Sequence, residues 1–322
     1  MKTQLIFALL FCFGCSLFAR QEGINSNEQG ISKMKFFYAG ESRALRMYIV
    51  KKGKIVWKYE NMEPNQGEIS DATLMKDGNI LVAHQYGIFE INMQHQILWK
   101  MHVPENTEIH TIQPIGKNKV VYVQNGVPAK VVIMEIPSLK KLGEFPIETK
   151  DFVHGQVRNA RLTSRGTLLI SHMDGNMVRE YDCEGHVLRQ VDLQKSPWSA
   201  FELKNGNLLV TGSQFIKELD RNSKEVWSID FSQDQKYYGI TSAQTSRRFK
   251  NGNTLINNWF NQWNGAKVDQ KNPPVQAIMV SPSKDILYKL CSWSNPDLGP
   301  STIIQPLNEK VDRNKCFFGK FK

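Results

Sequence analysis

Cysteine is scarce in this chain, with five in 322 residues. Cys12 and Cys15 lie in the N-terminal apolar run, leaving Cys183, Cys291 and Cys316 beyond it. An odd number without close spacing is neither a disulfide framework nor a zinc pattern. A Cys291–Cys316 bridge would have to join opposite faces of the fold derived below. Signature motifs are missing too. There is no Gly-x-Ser-x-Gly, no P-loop, no Gly-x-Gly-x-x-Gly after a strand and no His-Glu-x-x-His. There is also no EF-hand loop and no Cys-x-x-Cys in the expected mature chain. These absences narrow the room for catalysis without closing it. Past the N-terminal run, no stretch has the length and apolarity of a membrane span. Basic residues form no cluster: the formal charge of +10 is spread along the chain. Such a charge attracts acidic glycans, lipid head groups or nucleic acid, and an exported chain makes nucleic acid the least expected of these.

What is present starts at the N-terminus. Lys2 precedes an apolar stretch from Leu5 to Phe18, and Ala19 offers a small residue for cleavage. Residues 1–19 therefore have the form of a signal peptide, and the mature protein is expected outside the cytoplasm, periplasmic or secreted. Cys15 after Gly14 offers lipidation as the alternative, although Cys12 stands where a leucine is usual. Residues 20–33 are expected to be a flexible segment, 34–310 the folded domain and 311–322 a C-terminal tail. With 41% hydrophobic residues the chain can bury a large core.

Repetition is the strongest signal. Segments Asp71–Gln85, Thr111–Asn125, Asn159–Met173, Ser199–Ser213 and Thr245–Trp259 share one pattern. Each has a strand with a polar start, a turn with Gly or Asn, then a strongly apolar strand. The turn residues Gly78, Asn118, Gly166, Gly206 and Gly252 recur about every 40 to 48 residues, the period of a propeller blade. Asp-Gly and Asn-Gly are favoured in tight hairpins because the left-handed backbone they need costs Gly nothing. Two further strands follow each segment. The last usually carries an aromatic residue, as at Trp57, Trp99, Trp227 and Tyr288. The regular placing of Trp57, Trp99 and Trp227 marks them as pins between blades, not sugar platforms. The first repeat, from Lys35 to Tyr59, lacks its innermost strand, and Ser301–Glu309 supplies an orphan one. The expected fold is all-β: a six-bladed β-propeller whose C-terminal strand closes the N-terminal blade.

The endings Gly53-Lys54-x-Val56-Trp57-Lys58 and Arg221-Asn222-Ser223-Lys224-Glu225-Val226-Trp227 resemble the blades of quinoprotein-like (PQQ-like) repeat propellers. The stretches from Asn251 to Phe260, Gln276 to Leu290 and Ser301 to Leu307 are similar to uncharacterised secreted members of that superfamily. The resemblance implies a fold and a compartment, not a reaction. The superfamily's fuller docking motif is absent, so no quinone cofactor is expected. A divalent metal stays open.

Propeller ligands meet the channel where the innermost strand starts and the second strand returns. Six residues past the turn stand His84, Gln124, His172, Gly212 and Asn258; eight before it stand Ser70, His110, Arg158, Trp198 and Gln244. Glu68, Glu108 and Gln156 lie two residues further back, on the same side of the strand. With His154 and Asp71 these form a polar rim. A wet channel needs some polar residues in any case; convergent polar groups in a concavity also mark binding sites. The binding candidates are His84, Glu108, His110, Gln124, His154, Arg158, His172, Trp198, Asn258, Trp259 and Trp263. The last two lie in an insertion of blade six, which reads equally as a carbohydrate platform or a hydrophobic lid. Candidate metal ligands are His84, His110 and His172, because imidazole suits transition metals. Candidate catalytic groups are His172, His110 and Arg158, since a histidine beside an arginine can act as base and electrophile on a uronic-acid glycan. The expected partner is a glycan or a protein, and the expected state a monomer.

Overall fold

The turns of blades 2, 4, 5 and 6 close by a shared geometry, while in blade 3 the left-handed residue is Gly116 and not Asn118. In the first full copy the Met75 amide donates to the Asn79 carbonyl at 2.9 Å and the Gly78 amide donates to Met75 at 3.1 Å. Gly78 takes φ +93°, a left-handed backbone that a side chain would strain. Three residues therefore join the strands, one more than the tightest hairpins use. Thr163–Thr167, Leu203–Asn207 and Phe249–Asn253 repeat the same pair of bonds.

The computed structural model describes residues 34–41, 45–61, 67–150, 152–237, 239–263, 265–294 and 296–322. The expected signal peptide at 1–19, Cys15 within it and the expected flexible segment 20–33 lie outside the described residues. Blade 1 contains β1 (Lys35–Glu41), β2 (Leu45–Lys51) and β3 (Lys54–Asn61). Blade 2 contains β4 (Ile69–Leu74), β5 (Ile80–His84), β6 (Gly87–Ile91) and β7 (Ile97–His102). Blade 3 contains β8 (Glu108–Ile115), β9 (Lys119–Asn125), β10 (Ala129–Glu135) and β11 (Lys141–Ile147). Blade 4 contains β12 (Val157–Leu162), β13 (Leu168–His172), β14 (Met177–Tyr181) and β15 (Val187–Asp192). Blade 5 contains β16 (Pro197–Glu202), β17 (Leu208–Gly212), β18 (Phe215–Leu219) and β19 (Glu225–Asp230). Blade 6 contains β20 (Ala243–Arg248), β21 (Thr254–Asn258), β22 (Ala277–Val280) and β23 (Ile286–Leu290).

The last strand, β24 (Ser301–Pro306), pairs antiparallel with β1, Ile303 opposite Ala39 and Ile304 opposite Tyr38. It is the innermost strand of blade 1, in a sheet ordered β24-β1-β2-β3. Each sheet packs on the next around a closed ring, and blade 6 meets blade 1 through β21 and β24. The chain is a six-bladed β-propeller.

Burial follows the position of each strand. β5 is buried throughout, whereas the outer strand β3 alternates between half-buried and exposed, the period of two that a one-sided strand requires. The core is divided into clusters between neighbouring blades. One joins Phe37 and Met47 of blade 1 to Ile69 and Phe89 of blade 2. Another joins Tyr38 and Tyr48 to Leu255 and Met279 of blade 6. The outer tryptophans supplement these contacts. Trp57 Nε1 donates to the Met93 carbonyl of blade 2, and Trp227 Nε1 to the Pro282 carbonyl of blade 6, both at 3.0 Å. Trp99 instead donates to Glu90 of its own blade at 2.9 Å.

Residues 311–322 run across the face that carries the hairpin turns. Val311 exchanges backbone bonds with Leu74 and Lys76, and the amide of Gly116 donates to Cys316. Arg313 pairs with Glu90 and Asp77. Phe318, fully buried, enters the core between blades 3 and 4 against Phe145. Among the described residues, Cys183, Cys291 and Cys316 form no disulfide with one another.

Candidate functional site

The innermost strands of blades 2 to 5 each carry one residue without a partner across the ladder. The register shifts between Ile69 and Asp71, Ile109 and Thr111, Val157 and Asn159, and Pro197 and Ser199. The extra residues are Ser70, His110, Arg158 and Trp198. Blade 6 shifts between Ala243 and Ser246, around Gln244. A β-bulge breaks the alternation of side chains and re-aims the one it inserts. This repeated irregularity sets the positions that the spacing picked out eight residues before each turn.

The bulge residues of consecutive blades touch. Ser70 Oγ lies 2.7 Å from His110 Nδ1. Arg158 Nη1 lies 2.9 Å from the same nitrogen and pairs with Glu68, two blades away. The Arg158 guanidinium stands 5.2 Å from the centre of the Trp198 ring. Glu108 joins the histidines: its Oε2 lies 2.7 Å from His110 Nε2 and 2.8 Å from His154 Nδ1. Gln85 donates to the other oxygen at 2.7 Å. Arg158 Nη2 completes the circuit at 2.5 Å from His154 Nε2. One tautomer of each ring satisfies these contacts: His110 Nε2–H and His154 Nδ1–H donate to Glu108, and the opposite nitrogens accept.

Charge follows from this geometry. Burial disfavours the ionised form of Glu68, but the Arg158 guanidinium beside it outweighs burial and holds the carboxyl well below its usual range. Burial opposes ionisation of Glu108 too, and hydrogen bonds from His110, His154 and Gln85 overcome it in the same direction. His154 is the accessible member, its side chain 39% exposed; that of His110 is fully covered. Beside it Phe152 is 71% exposed, its ring centre 6.3 Å from that of His154. Tyr86, Pro104, Glu108 and Val153 line an open depression of about 580 Å³ next to the cluster.

A second tier repeats the first three residues deeper. Asp71 Oδ2 lies 2.6 Å from Arg161 Nη1, Oδ1 lies 2.8 Å from Nη2, and the Arg161 guanidinium stands 5.3 Å from the Phe201 ring centre. Thr111 donates to the same carboxylate at 3.1 Å. Below this tier a cavity of about 260 Å³, lined by Gln113, Arg161, Asn257, Gln305 and Val311 among others, opens toward the face crossed by the C-terminal residues.

Several expected site residues stand elsewhere. His84 and His172 do not join His110. His84 is buried with its ring centre 5.9 Å from that of Phe89, in its own blade. His172 is wholly buried, its Nε2 3.1 Å from Tyr181 Oη. Both end regular second strands, which lack the bulge that turns the inner-strand residues to the channel. Full burial keeps His172 from touching a substrate. The set of His84, His110 and His172 as metal ligands is corrected accordingly. Among the described residues, Glu108, His110 and His154 form the group whose ligand atoms lie within 4.8 Å of one another. The donor types suit a transition metal. Their surroundings oppose one, because Arg158 donates to His154 Nε2 and so leaves the proton on Nδ1, the atom an ion would need. Asn258 is structural: its Oδ1 accepts from the amides of Thr241 and Ser242 at 2.8 and 2.7 Å, and its Nδ2 donates to Val275 at 2.8 Å. Gln124 is buried at the end of β9, opposite Ile109. Trp259 is half-buried after β21, and Trp263 stands 41% exposed on the blade-6 insertion. Sequence reasoning passed over Gln85 and Phe152. Gln85 directly follows His84 and could have been found by the same spacing; nothing in the repeat marks Phe152.

A six-bladed propeller with a polar cluster at one mouth of its channel is the class that fold and site define. No protein-family model matches the chain, and no curated protein matches it. Among solved structures it is similar to a protein of unknown function from Bacteroides caccae, with 21% identity and a TM-score of 0.69 over 86% of this chain and all of that one. It is also similar to streptogramin B lyase, with 11% identity and a TM-score of 0.56 over 84% of this chain and 88% of that one. A catalytically inactive virginiamycin B lyase from Staphylococcus aureus with quinupristin gives 12% identity and a TM-score of 0.53, over 80% of this chain and 86% of that one. Likeness at these identities shows the fold.

Proposed function

We propose that this protein is an extracytoplasmic binding module that takes a glycan or a protein ligand at the rim of its channel, around Glu108, His110, His154 and Arg158. The observation that carries this reading is the convergence itself. Side chains up to 90 residues apart in sequence, from blades 2, 3 and 4, meet within hydrogen-bond distance on one face. His154 and Phe152 stay accessible beside them. Convergent polar groups next to an aromatic surface suit a ligand with hydroxyls and an apolar face. The extracytoplasmic location rests on the N-terminal run alone. No helix among the described residues is long and apolar enough to cross a membrane.

The test is a glycan array with residues 20–322, followed by calorimetry on any ligand found. His154→Ala is expected to weaken binding about tenfold or more at an unchanged Tm, since a half-exposed side chain contributes little to the core. Binding that survives both His154→Ala and Phe152→Ala sinks the reading.

A second reading, a lyase acting on acidic saccharides, draws on the Arg158–His154 contact. Arg158 would move from His154 Nε2 to the uronate carboxylate, the freed Nε2 would take the proton beside that carboxylate, and the C–O bond at the β position would break, its oxygen taking a proton from the imidazolium. Unsaturated product, followed by ultraviolet absorbance, would appear with wild type and vanish with His154→Ala. Its absence across a panel of polyuronates sinks this reading.

A further inference from the structure

Large apolar side chains gather at the mouth beside His154. Phe152 and Val127 are the two most exposed of their kind among the described residues, Val127 at 70%, and Tyr86 after β5 is 41% exposed. Their loops adjoin. The Gly126 amide donates to Gln156 Oε1 at 2.8 Å, and Gln156 Nε2 donates back to the Gly126 carbonyl at 2.9 Å. Asn125 Nδ2 donates to the Val153 carbonyl at 3.0 Å, which sets the Val127 loop beside Phe152. Val153 and Tyr86 then line the depression of about 580 Å³, together with Pro104 and Thr107. Apolar residues scattered singly over a surface need no explanation, whereas a contiguous group marks an interaction site.

Charge says what kind of group settles there. The charged residues of the lining are Glu105 and Glu108, and no lysine or arginine joins them. Glu105 is exposed and has no ion-pair partner among the described residues. Glu108 accepts from Gln85 and from two imidazoles that are neutral in the tautomers given above. The Arg158 guanidinium is spent on Glu68. Two carboxylate charges thus stand uncancelled in an apolar setting, on a chain whose formal charge is +10. A cation is the group such a lining draws in, and complementary charge across an interface selects the partner and speeds its approach.

We propose that this face docks a partner protein through a lysine or arginine side chain held in the depression. Its ammonium or guanidinium faces Glu105 and Glu108, and its aliphatic stem lies against Tyr86, Pro104 and Val153. Apolar residues on either side of it cover Phe152 and Val127. A free amine would fill the depression and leave both of those side chains in water, so the exposed apolar area argues for a polypeptide. The inference rests on the reading that the rim binds a ligand, and it narrows the two ligand classes to protein.

The test is selection from a displayed library of random dodecapeptides, followed by calorimetry on peptides synthesised from the recovered sequences. Wild type is expected to recover peptides with a lysine or arginine next to apolar residues. Exchanging that basic residue for Gln in the peptide should weaken binding about tenfold or more. Glu105→Lys and Phe152→Ala in the protein should do the same at an unchanged Tm, because both side chains are exposed. Added salt should weaken the wild-type complex as well. The docking is overturned if no peptide is recovered, if the recovered peptides lack a basic residue, or if their affinity survives Glu105→Lys. A glycan that binds at His154 while no such peptide is recovered overturns the docking and leaves the rim reading standing; the absence of both fails the two together. Sedimentation of wild type as a dimer that Phe152→Ala returns to monomers would give the face to a second copy of this chain, and that overturns the docking too.

Discussion

Arg158 and Arg161 reach the same distance back along the chain, to Glu68 and Asp71, and each lies on an aromatic ring of blade 5. Their surroundings differ. The Asp71 side chain has no exposure, whereas that of Glu68 retains 14%. Removing one member of a buried ion pair leaves the other uncompensated, at about 3–5 kcal/mol. Asp71→Asn is therefore expected to cost about 3 kcal/mol or more, and Glu68→Gln clearly less, in urea denaturation. Equal losses would mean that the deeper pair is as hydrated as the upper one. His172 gives a pH signature. Burial, with some help from Arg179, pushes its pKa down from the ordinary value to about 3. The unfolded chain then binds one proton more than the folded chain between about pH 3 and pH 6.5, so stability falls as the solution is acidified through that window. The carboxylates of Glu68 and Glu108 act in the same direction at lower pH, and comparison with a variant separates them. Between pH 6 and 4, His172→Phe is expected to lose about 1.4 kcal/mol per pH unit less than wild type. Parallel slopes would show that His172 takes up its proton in the folded state.

Among the elements, the C-terminal segment does more than a tail would. Its Phe318 fills the interface between blades 3 and 4, and its backbone follows the hairpin turns of blades 2, 3 and 4. Two glycines permit this approach. A side chain at Gly319 would meet Cys183 Sγ at 2.2 Å, and one at Gly116 would meet the backbone of Lys322 at 2.6 Å. Phe318→Ala removes a wholly buried ring and is expected to cost about 3–5 kcal/mol in chemical denaturation. Ending the chain after Lys310 should lower Tm further while leaving the far-UV spectrum that of a β protein, because β24 stays in place. Ending it after Pro300 removes the innermost strand of blade 1 and should abolish the cooperative transition. A truncation at Pro300 that still melts in one sharp step would show that the ring holds without its closing strand.

Over the whole molecule, what could be read in advance was whatever repeats. Gly78, Asn118, Gly166, Gly206 and Gly252 mark the same point in five blades, and their spacing carried the blade count, with β24 filling the gap left by the first repeat. Counting back from those turns also found Ser70, His110, Arg158 and Trp198, since a bulge shared by every copy does not disturb the alignment. Counting forward placed His84 and His172 beside them in error. Spacing fixes where a residue sits along a strand, and a bulge decides which way its side chain turns. Counting also found Asn258 at the end of β21, but not that its amide is spent on the backbone of Thr241, Ser242 and Val275, and nothing in the repeat marks the exposed ring of Phe152.

The stacked arginine pairs carry one further consequence. Both span from blade 2 to blade 4, passing over blade 3. They tie blade 2 to blade 4 at two depths, so neither blade can turn about the axis without breaking both pairs.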